Sequence, residues 1–187
     1  MANDKKHLER VDLKDIFSEC ERITAKRYRA LQNQVDIDDF VITEEDYTQL
    51  LVYAIDAAAD IASRCSYVQT SNQTPLEALS YTKEDTLGDG VGRDDFEKGQ
   101  KLYLSDMPEI LFDFEGVDTM HLRYTVVQQF IRAALRYYIL SEYYETVGLF
   151  NDSAINRTKY DEAVGKVNFN AVVNNNRKGK TRPYRYY

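Results

Sequence analysis

TMHLRYTVVQQFIRAALRYYILSEYYETV, residues 119–147, contains the longest helix that the sequence predicts. Apolar residues recur on almost every side of it. Its polar positions form a single stripe, made of Gln128, Gln129, Arg132 and Arg136. A helix that is apolar nearly all round lies at the centre of a domain or is covered by another subunit. Gly148 is a natural C-terminal stop, so we predict a central helix from Thr119 to Val147.

Three further helices are predicted around this one. Apolar residues at helical spacing indicate helices at 12–34 and 44–67, and Thr43 can cap the second of these. A fourth helix is predicted at 151–173, with an inner face made of Ile155, Ala163, Val164 and Val167. The predicted fold class is therefore mainly α, a bundle of about four helices.

Residues 68–118 are predicted to form a long, partly extended insertion. Glycine and proline interrupt the helical pattern there. Apolar residues alternate at Ile110, Phe112 and Phe114, and this period of two predicts a short strand or an extended arm. Residues 84–118 carry eleven carboxylates and three bases, a net charge of −8. A loop this long is usually functional or partly disordered.

The last thirteen residues, 175–187, read NNRKGKTRPYRYY and carry five positive charges with no carboxylate. Tyrosine and arginine are the residue types that carry binding energy at interfaces. We predict that this segment is an extended, basic and aromatic arm that docks on a partner, although a frayed terminus is the alternative. Its predicted partner-binding residues are Arg177, Lys178, Lys180, Arg182, Tyr184, Arg185, Tyr186 and Tyr187.

A group of tyrosines at the end of the central helix has two interpretations. These side chains could belong to the core and to partly exposed surface, or they could form a subunit interface, where tyrosine is enriched. The predicted interface residues are Tyr137, Tyr138, Tyr143 and Tyr144.

Composition excludes several classes of protein. The 187 residues have a net charge of −7, which disfavours nucleic-acid binding over the whole surface. No apolar run approaches the roughly 20 residues that span a bilayer, and the N-terminus lacks the apolar stretch of a signal peptide. Cys20 and Cys65 match no metal or redox spacing, so a reducing compartment is expected. We expect an intracellular or virion protein with no membrane partner.

No motif indicates catalysis, and we expect neither a cofactor nor a metal. His7 and His121 lie in no zinc-binding spacing. Gly88–Gly92 lacks the Lys-Ser/Thr of a phosphate-binding P-loop. The carboxylates between Asp85 and Asp95 lack the spacing of an EF-hand. No Gly-x-Ser-x-Gly nucleophile motif occurs. The chain is therefore not expected to be an enzyme.

Three stretches, together about a third of the chain, resemble the head-to-tail connector (adaptor) proteins of tailed bacteriophages. ITEEDYTQLLVYAIDAAADIA, from Ile42, is similar to the early helix of that family, with its acidic start and alanine-rich run. LRYTVVQQFIRAALRYY, from Leu122, is similar to the long helix. Residues 151–173 are similar to the closing helix before the C-terminal arm. The tyrosine- and asparagine-rich composition also resembles that of ring proteins from crAss-like short-tailed phages.

The resemblance implies a structural virion protein. It implies a helical connector domain at 1–174 and a docking arm at 175–187. Copies would form a ring, dodecameric in expectation, at the portal vertex between head and tail, and the arm would contact the portal protein. The ring would contact tail or further ring proteins and surround passing DNA without binding it specifically. The implied location is the virion, after assembly in the host cytoplasm.

Two other functions stay open at this point. A nucleic-acid-binding phage protein, such as a small terminase subunit, could use the basic and aromatic tail to hold phosphates and stack on bases. A metal-dependent hydrolase could use the carboxylates at 85–95. In the connector interpretation, the acidic 84–118 segment lies at a contact between copies or with a tail component.

Overall fold

The computed structural model describes residues 7–31, 40–65, 68–70, 109–114 and 124–178. These residues are mainly helical, as predicted, with four α-helices packed around one hydrophobic core. The helices are α1 (Leu13–Leu31), α2 (Tyr47–Arg64), α3 (Tyr124–Thr146) and α4 (Phe150–Lys178). The strands are β1 (His7–Asp12), β2 (Val68–Thr70) and β3 (Glu109–Phe114).

Helix α3 lies at the centre, as its sequence predicts. It packs against the other three helices and touches β1. Ile131, Leu135 and Ile139 are fully buried, and Gln129 is exposed in the first half of the helix. The near-continuous apolar surface of α3 is therefore covered largely by its own chain.

Helices α3 and α4 form an antiparallel hairpin with a short connection. Gly148 adopts a φ of 78°, a left-handed conformation that glycine tolerates without a steric penalty. The Leu149 N–H donates to the Tyr144 carbonyl at 2.8 Å, and the Gly148 N–H donates to the Glu145 carbonyl at 3.1 Å. This is a Schellman cap. It confirms the prediction that Gly148 ends the central helix.

A three-stranded antiparallel sheet of order β1-β3-β2 closes part of the core. The predicted alternation is confirmed in β3, because Ile110 and Phe112 are fully buried whereas Glu109 is exposed. Val11 of β1 pairs with Ile110 and is also buried. Part of the predicted insertion therefore contributes to the core.

The structure corrects several predicted boundaries. Residues from His7 to Asp12 form a strand, which the sequence analysis missed because only two apolar residues mark it. Asp12 precedes α1 and caps it, since its Oδ1 accepts a hydrogen bond from the Lys14 N–H at 2.8 Å. The predicted helix at 44–67 begins with a 3₁₀ turn at Glu44–Asp46, and its α-helical part ends at Arg64.

The fourth helix is longer than predicted. It runs to Lys178, so residues 175–178 of the predicted extended arm are helical. No glycine or proline occurs between Val173 and Gly179, and basic residues in a last turn interact favourably with the helix dipole. The remainder of the predicted arm, 179–187, lies outside the described residues.

Candidate assembly surface

The structure separates the four tyrosines of the predicted subunit interface into two pairs. Tyr143 and Tyr144 are 7% and 2% exposed within a single chain, so they offer little surface to a second copy. Burial raises the pKa of Tyr144 to about 12. Tyr137 and Tyr138 are half-buried at the edge of the core. Tyr137 and Tyr138 therefore offer more surface to a second copy than Tyr143 and Tyr144 do, and the intersubunit contact itself stays a prediction.

A polar seam fixes α4 against α2. The hydroxyl of Tyr160, on α4, donates to the Asp60 carboxylate on α2. Arg64 of α2 donates to Asp60 at 3.3 Å and to Asp161 of α4 at 2.8 Å. Burial, together with the bond to Asp60, raises the pKa of Tyr160. Helix α4 is thus held by charge-assisted hydrogen bonds as well as by apolar packing.

A second contact fixes α4 against α3. The Arg157 guanidinium donates to Oε1 of Glu142 at 3.0 Å and lies 4.9 Å from the ring centroid of Tyr138. The Tyr138 and Tyr160 rings meet edge to face at 5.1 Å. The start of α4 is tied to α1 as well, because Nε and Nη2 of Arg27 both donate to Oδ2 of Asp152, at 3.1 and 3.0 Å. Helix α4 is therefore a firmly positioned element.

The arginines in the polar stripe of α3 face α1. Arg132 pairs with Asp15 at 2.9 Å, and Arg136 pairs with Glu19 at 2.6 Å. These contacts explain why a largely apolar helix keeps two cations. They also place these two arginines of the stripe at the contact between α1 and α3.

Large exposed apolar side chains of the described residues are concentrated on α4. Phe150, Ile155 and Phe169 are 68%, 52% and 66% exposed. The prediction that Ile155 faces inward was wrong. Tyr160, Val164 and Val167 define the inner face of α4, and at about 100° per residue Ile155 lies roughly 140° away from Tyr160.

A basic and aromatic patch lies beside these apolar side chains, between α3 and α4. Arg136 lies 4.8 Å and Lys159 lies 5.7 Å from the ring centroid of Tyr137. Lys166 lies 5.5 Å from the ring centroid of Phe130. Lys159 and Lys166 have no ion-pair partner among the residues that the structure describes. We call this set the basic-aromatic face: Phe130, Arg136, Tyr137, Lys159 and Lys166.

The basic-aromatic face and the exposed apolar side chains are continuous. Ile155, Lys159, Lys166 and Phe169 follow one another at spacings of four, seven and three residues, which place them on one side of a helix. Phe150 lies on another side. We call these four residues the α4 stripe. It combines apolar area with two lysines that have no ion-pair partner within the described ranges, beside the exposed Glu162, and apolar and charged residues together are typical of protein-binding surfaces.

The described part of the chain contains no arrangement of side chains typical of catalysis. Within it, no group of three or more histidine, cysteine or acidic residues could hold a metal ion. Cys20 and Cys65 are free and buried, and burial raises the pKa of both thiols, to about 11 for Cys65. They are therefore poor nucleophiles at neutral pH. None of the described helices has the length and apolarity to cross a bilayer.

The predicted tail site is described only at its start. Arg177 and Lys178 belong to the last turn of α4. The other predicted docking residues are outside the described ranges, and so are the carboxylates at 84–97 and His121. The α4 stripe was missed because the sequence analysis placed Ile155 inside and assigned Phe169 to neither face. The sequence feature that could have revealed the stripe is the helical phase, which is set by Tyr160, Ala163, Val164 and Val167.

Comparison of the chain with protein-family models, with curated proteins and with solved structures gives no match.

Proposed function

We propose that this chain is a structural subunit of a head-to-tail connector ring in a tailed phage, and that it is not an enzyme. The observation that carries the proposal is the α4 stripe, where Ile155 and Phe169 are exposed on a firmly positioned helix. Burying a large apolar side chain contributes about 1.5–3 kcal/mol. Binding of a second copy that buries Ile155 and Phe169 would therefore be energetically favourable.

The stripe supports a ring better than a symmetric dimer. Between Ile155 and Phe169 this side of α4 carries Lys159, Lys166 and Glu162, a net charge of +1, so a second stripe facing the first would bring two surfaces of like net charge together. A head-to-tail contact with a different, acidic surface avoids this repulsion. Repeated head-to-tail contacts close into a ring when the rotation between copies permits.

The charge of the chain suits a ring around DNA. At a net charge of −7, the protein as a whole repels phosphate groups. The genome could then pass through the channel without sticking to its wall. The basic tail, residues 179–187, would be reserved for the portal protein, where its arginines would find carboxylates beside an apolar groove.

Native mass spectrometry tests this proposal. We expect the purified protein, alone or mixed with the portal protein of the same phage, to form a closed oligomer. Twelve subunits of 21.7 kDa would give a mass of about 260 kDa. A chain shortened after Lys178 should still form the ring and should lose the portal. A wild-type protein that stays monomeric with and without the portal would contradict the proposal.

One observation favours a second function, nucleic-acid binding as in a small terminase subunit. The cations of the basic-aromatic face lie over aromatic rings, and such surfaces can hold phosphates and stack on bases. Binding of this kind weakens steeply as salt is raised, because counterions are released from the nucleic acid. A DNA affinity that falls linearly with salt on a double-logarithmic plot would favour this function over the connector.

A further inference from the structure

The basic-aromatic face carries three cations, Arg136, Lys159 and Lys166, and two carboxylates lie beside them, Glu19 at Arg136 and the exposed Glu162 between the two lysines on α4. Three positive and two negative charges leave a net charge of +1. Two cations, those of Arg136 and Lys159, lie within 6 Å of one ring, Tyr137. Arg136 has Glu19 as its ion-pair partner, whereas within the described ranges Lys159 and Lys166 have none. A surface with a net positive charge attracts anions. The face therefore favours an anionic ligand.

The aromatic rings of this face favour one kind of anionic ligand over another. Phe130 and Tyr137 are half-buried rings packed against the core, so each presents an apolar edge to a ligand. Small inorganic anions leave that apolar surface uncovered. An acidic peptide with an aromatic side chain would pair with the lysines and cover the rings at the same time.

The chain itself contains such a peptide. Residues 84–97 read EDTLGDGVGRDDFE, with six carboxylates and one base. Phe96 stands between acidic neighbours, Asp95 and Glu97. This segment lies between the end of β2 at Thr70 and the start of β3 at Glu109. The fourteen steps from Thr70 to Glu84 reach roughly 45 Å at 3.3 Å per residue, about the length of α4.

We propose that residues 84–97 of a second copy dock on the basic-aromatic face. The inference rests on the proposed ring and names the acidic surface that its head-to-tail contact needs. A second copy is favoured over the same chain because the face is continuous with Ile155 and Phe169. A neighbour that covers those side chains stands beside the lysines. Asp94, Asp95 and Glu97 would then pair with Lys159 and Lys166, and Phe96 would contact Phe130 or Tyr137.

Two variants of the full chain separate the two halves of this contact. The face variant carries Lys159→Glu and Lys166→Glu. The segment variant carries Asp94→Asn, Asp95→Asn and Glu97→Gln. A matched control, Lys14→Glu with Lys26→Glu, makes the same charge change on exposed lysines of α1. Circular dichroism checks that each variant is folded, and sedimentation velocity measures association.

We expect each variant alone to associate about tenfold or more weakly than the wild type, because charge pairs at the contact are lost or reversed. The α1 control should associate normally. An equimolar mixture of the two variants should recover association as a one-to-one pair, since the intact segment of one copy meets the intact face of the other. This recovery would establish docking between copies.

Other outcomes overturn the inference in different ways. If both variants assemble like the wild type, the contact does not exist and the ring proposal is unaffected. If both fail alone and the mixture does not recover, the segment docks within its own chain. If the wild type retains nucleic acid and only the face variant releases it, the ligand is nucleic acid. If the wild type itself never assembles, the proposed ring fails together with this contact.

Discussion

The Tyr160 hydroxyl donates a hydrogen bond to the carboxylate of Asp60, although the two residues are 100 positions apart in the chain. The contact joins α4 to α2 at the edge of the core, where Arg64 also reaches Asp60 at 3.3 Å. The ring of Tyr160 is fully buried, and its hydroxyl ends at a carboxylate that is partly exposed. This residue therefore serves both the core and the polar seam.

Replacing Tyr160 by phenylalanine should remove the hydrogen bond and keep the buried ring. We expect the free energy of unfolding to fall by roughly 1–2 kcal/mol, since the lost bond ends at a charged group. Tyr53→Phe is the matched control, because the Tyr53 hydroxyl meets Thr146 at 2.9 Å in an exposed position. Urea unfolding measures both changes. A Tyr160→Phe protein that loses no more stability than Tyr53→Phe would show that the bond to Asp60 contributes no more than an exposed hydrogen bond.

Thr24 connects α1 to the segment before α2. Its Oγ1 donates to the Cys20 carbonyl at 3.0 Å and accepts from the Ile42 N–H at 3.2 Å. Thr24→Val should leave that buried N–H without its acceptor and lower the free energy of unfolding by about 1–3 kcal/mol. Thr24→Ser keeps the hydroxyl and should cost less. If valine is tolerated as well as serine in thermal melts, the hydroxyl is not what connects these elements.

The central position of α3 makes a direct prediction about charge. Ile131 is fully buried, so Ile131→Asp should unfold the protein or make it insoluble, because a buried, unpaired carboxylate is very costly. Gln129→Asp introduces the same charge at an exposed position of the same helix and should leave the fold unchanged. Circular dichroism of the soluble fraction distinguishes them. A folded, soluble Ile131→Asp protein would mean that α3 is not the core.

Stability should fall at alkaline pH. Burial raises the pKa of Cys65 from 9.0 to about 11 and that of Tyr144 from 10.0 to about 12. When the pKa of an acid is higher in the folded state, the unfolded chain loses its proton first. The stabilisation is therefore complete below the unfolded pKa and is lost as the pH rises toward the folded one. Between about pH 9 and pH 11, the free energy of unfolding should decline.

Urea unfolding at pH 8 and at pH 10.5, under reducing conditions, measures this decline. Cys65→Ala is the control, because it removes one of the buried acids and should make the pH dependence shallower. A thiol reagent should also leave the native protein unmodified at pH 8 and label both cysteines after unfolding. Rapid labelling of the native protein would contradict the burial of these side chains.

The fold class and the central helix could be predicted because their signals are local. The apolar positions of 119–147 repeat around the helix, and Gly148 can adopt the left-handed conformation that ends it. The alternation at Ile110 and Phe112 predicted β3 for the same reason. Such patterns describe one element at a time.

The remaining features of the fold and of the site depend on how the elements pack against one another. Strand β1 has little alternation of its own and forms because β3 offers it a partner. Tyr143 and Tyr144 have the composition of an interface but are buried against Phe40 and the core. Predicting the α4 stripe required the correct helical phase, because a phase error that places Ile155 on the inner face predicts that it is buried. The sequence predicted which residue types the site contains, but not which side of the helix carries them.

The central claim is that copies of this chain assemble through α4. Sedimentation velocity of the wild type beside Ile155→Ser with Phe169→Ser tests it most directly, with Phe150→Ser as a control that removes an equally exposed side chain on another side of α4. We predict a closed oligomer for the wild type and the control, and a folded 21.7 kDa monomer for the double variant. A wild type that remains monomeric with and without the portal protein, or a double variant that assembles as the wild type does, would contradict the account.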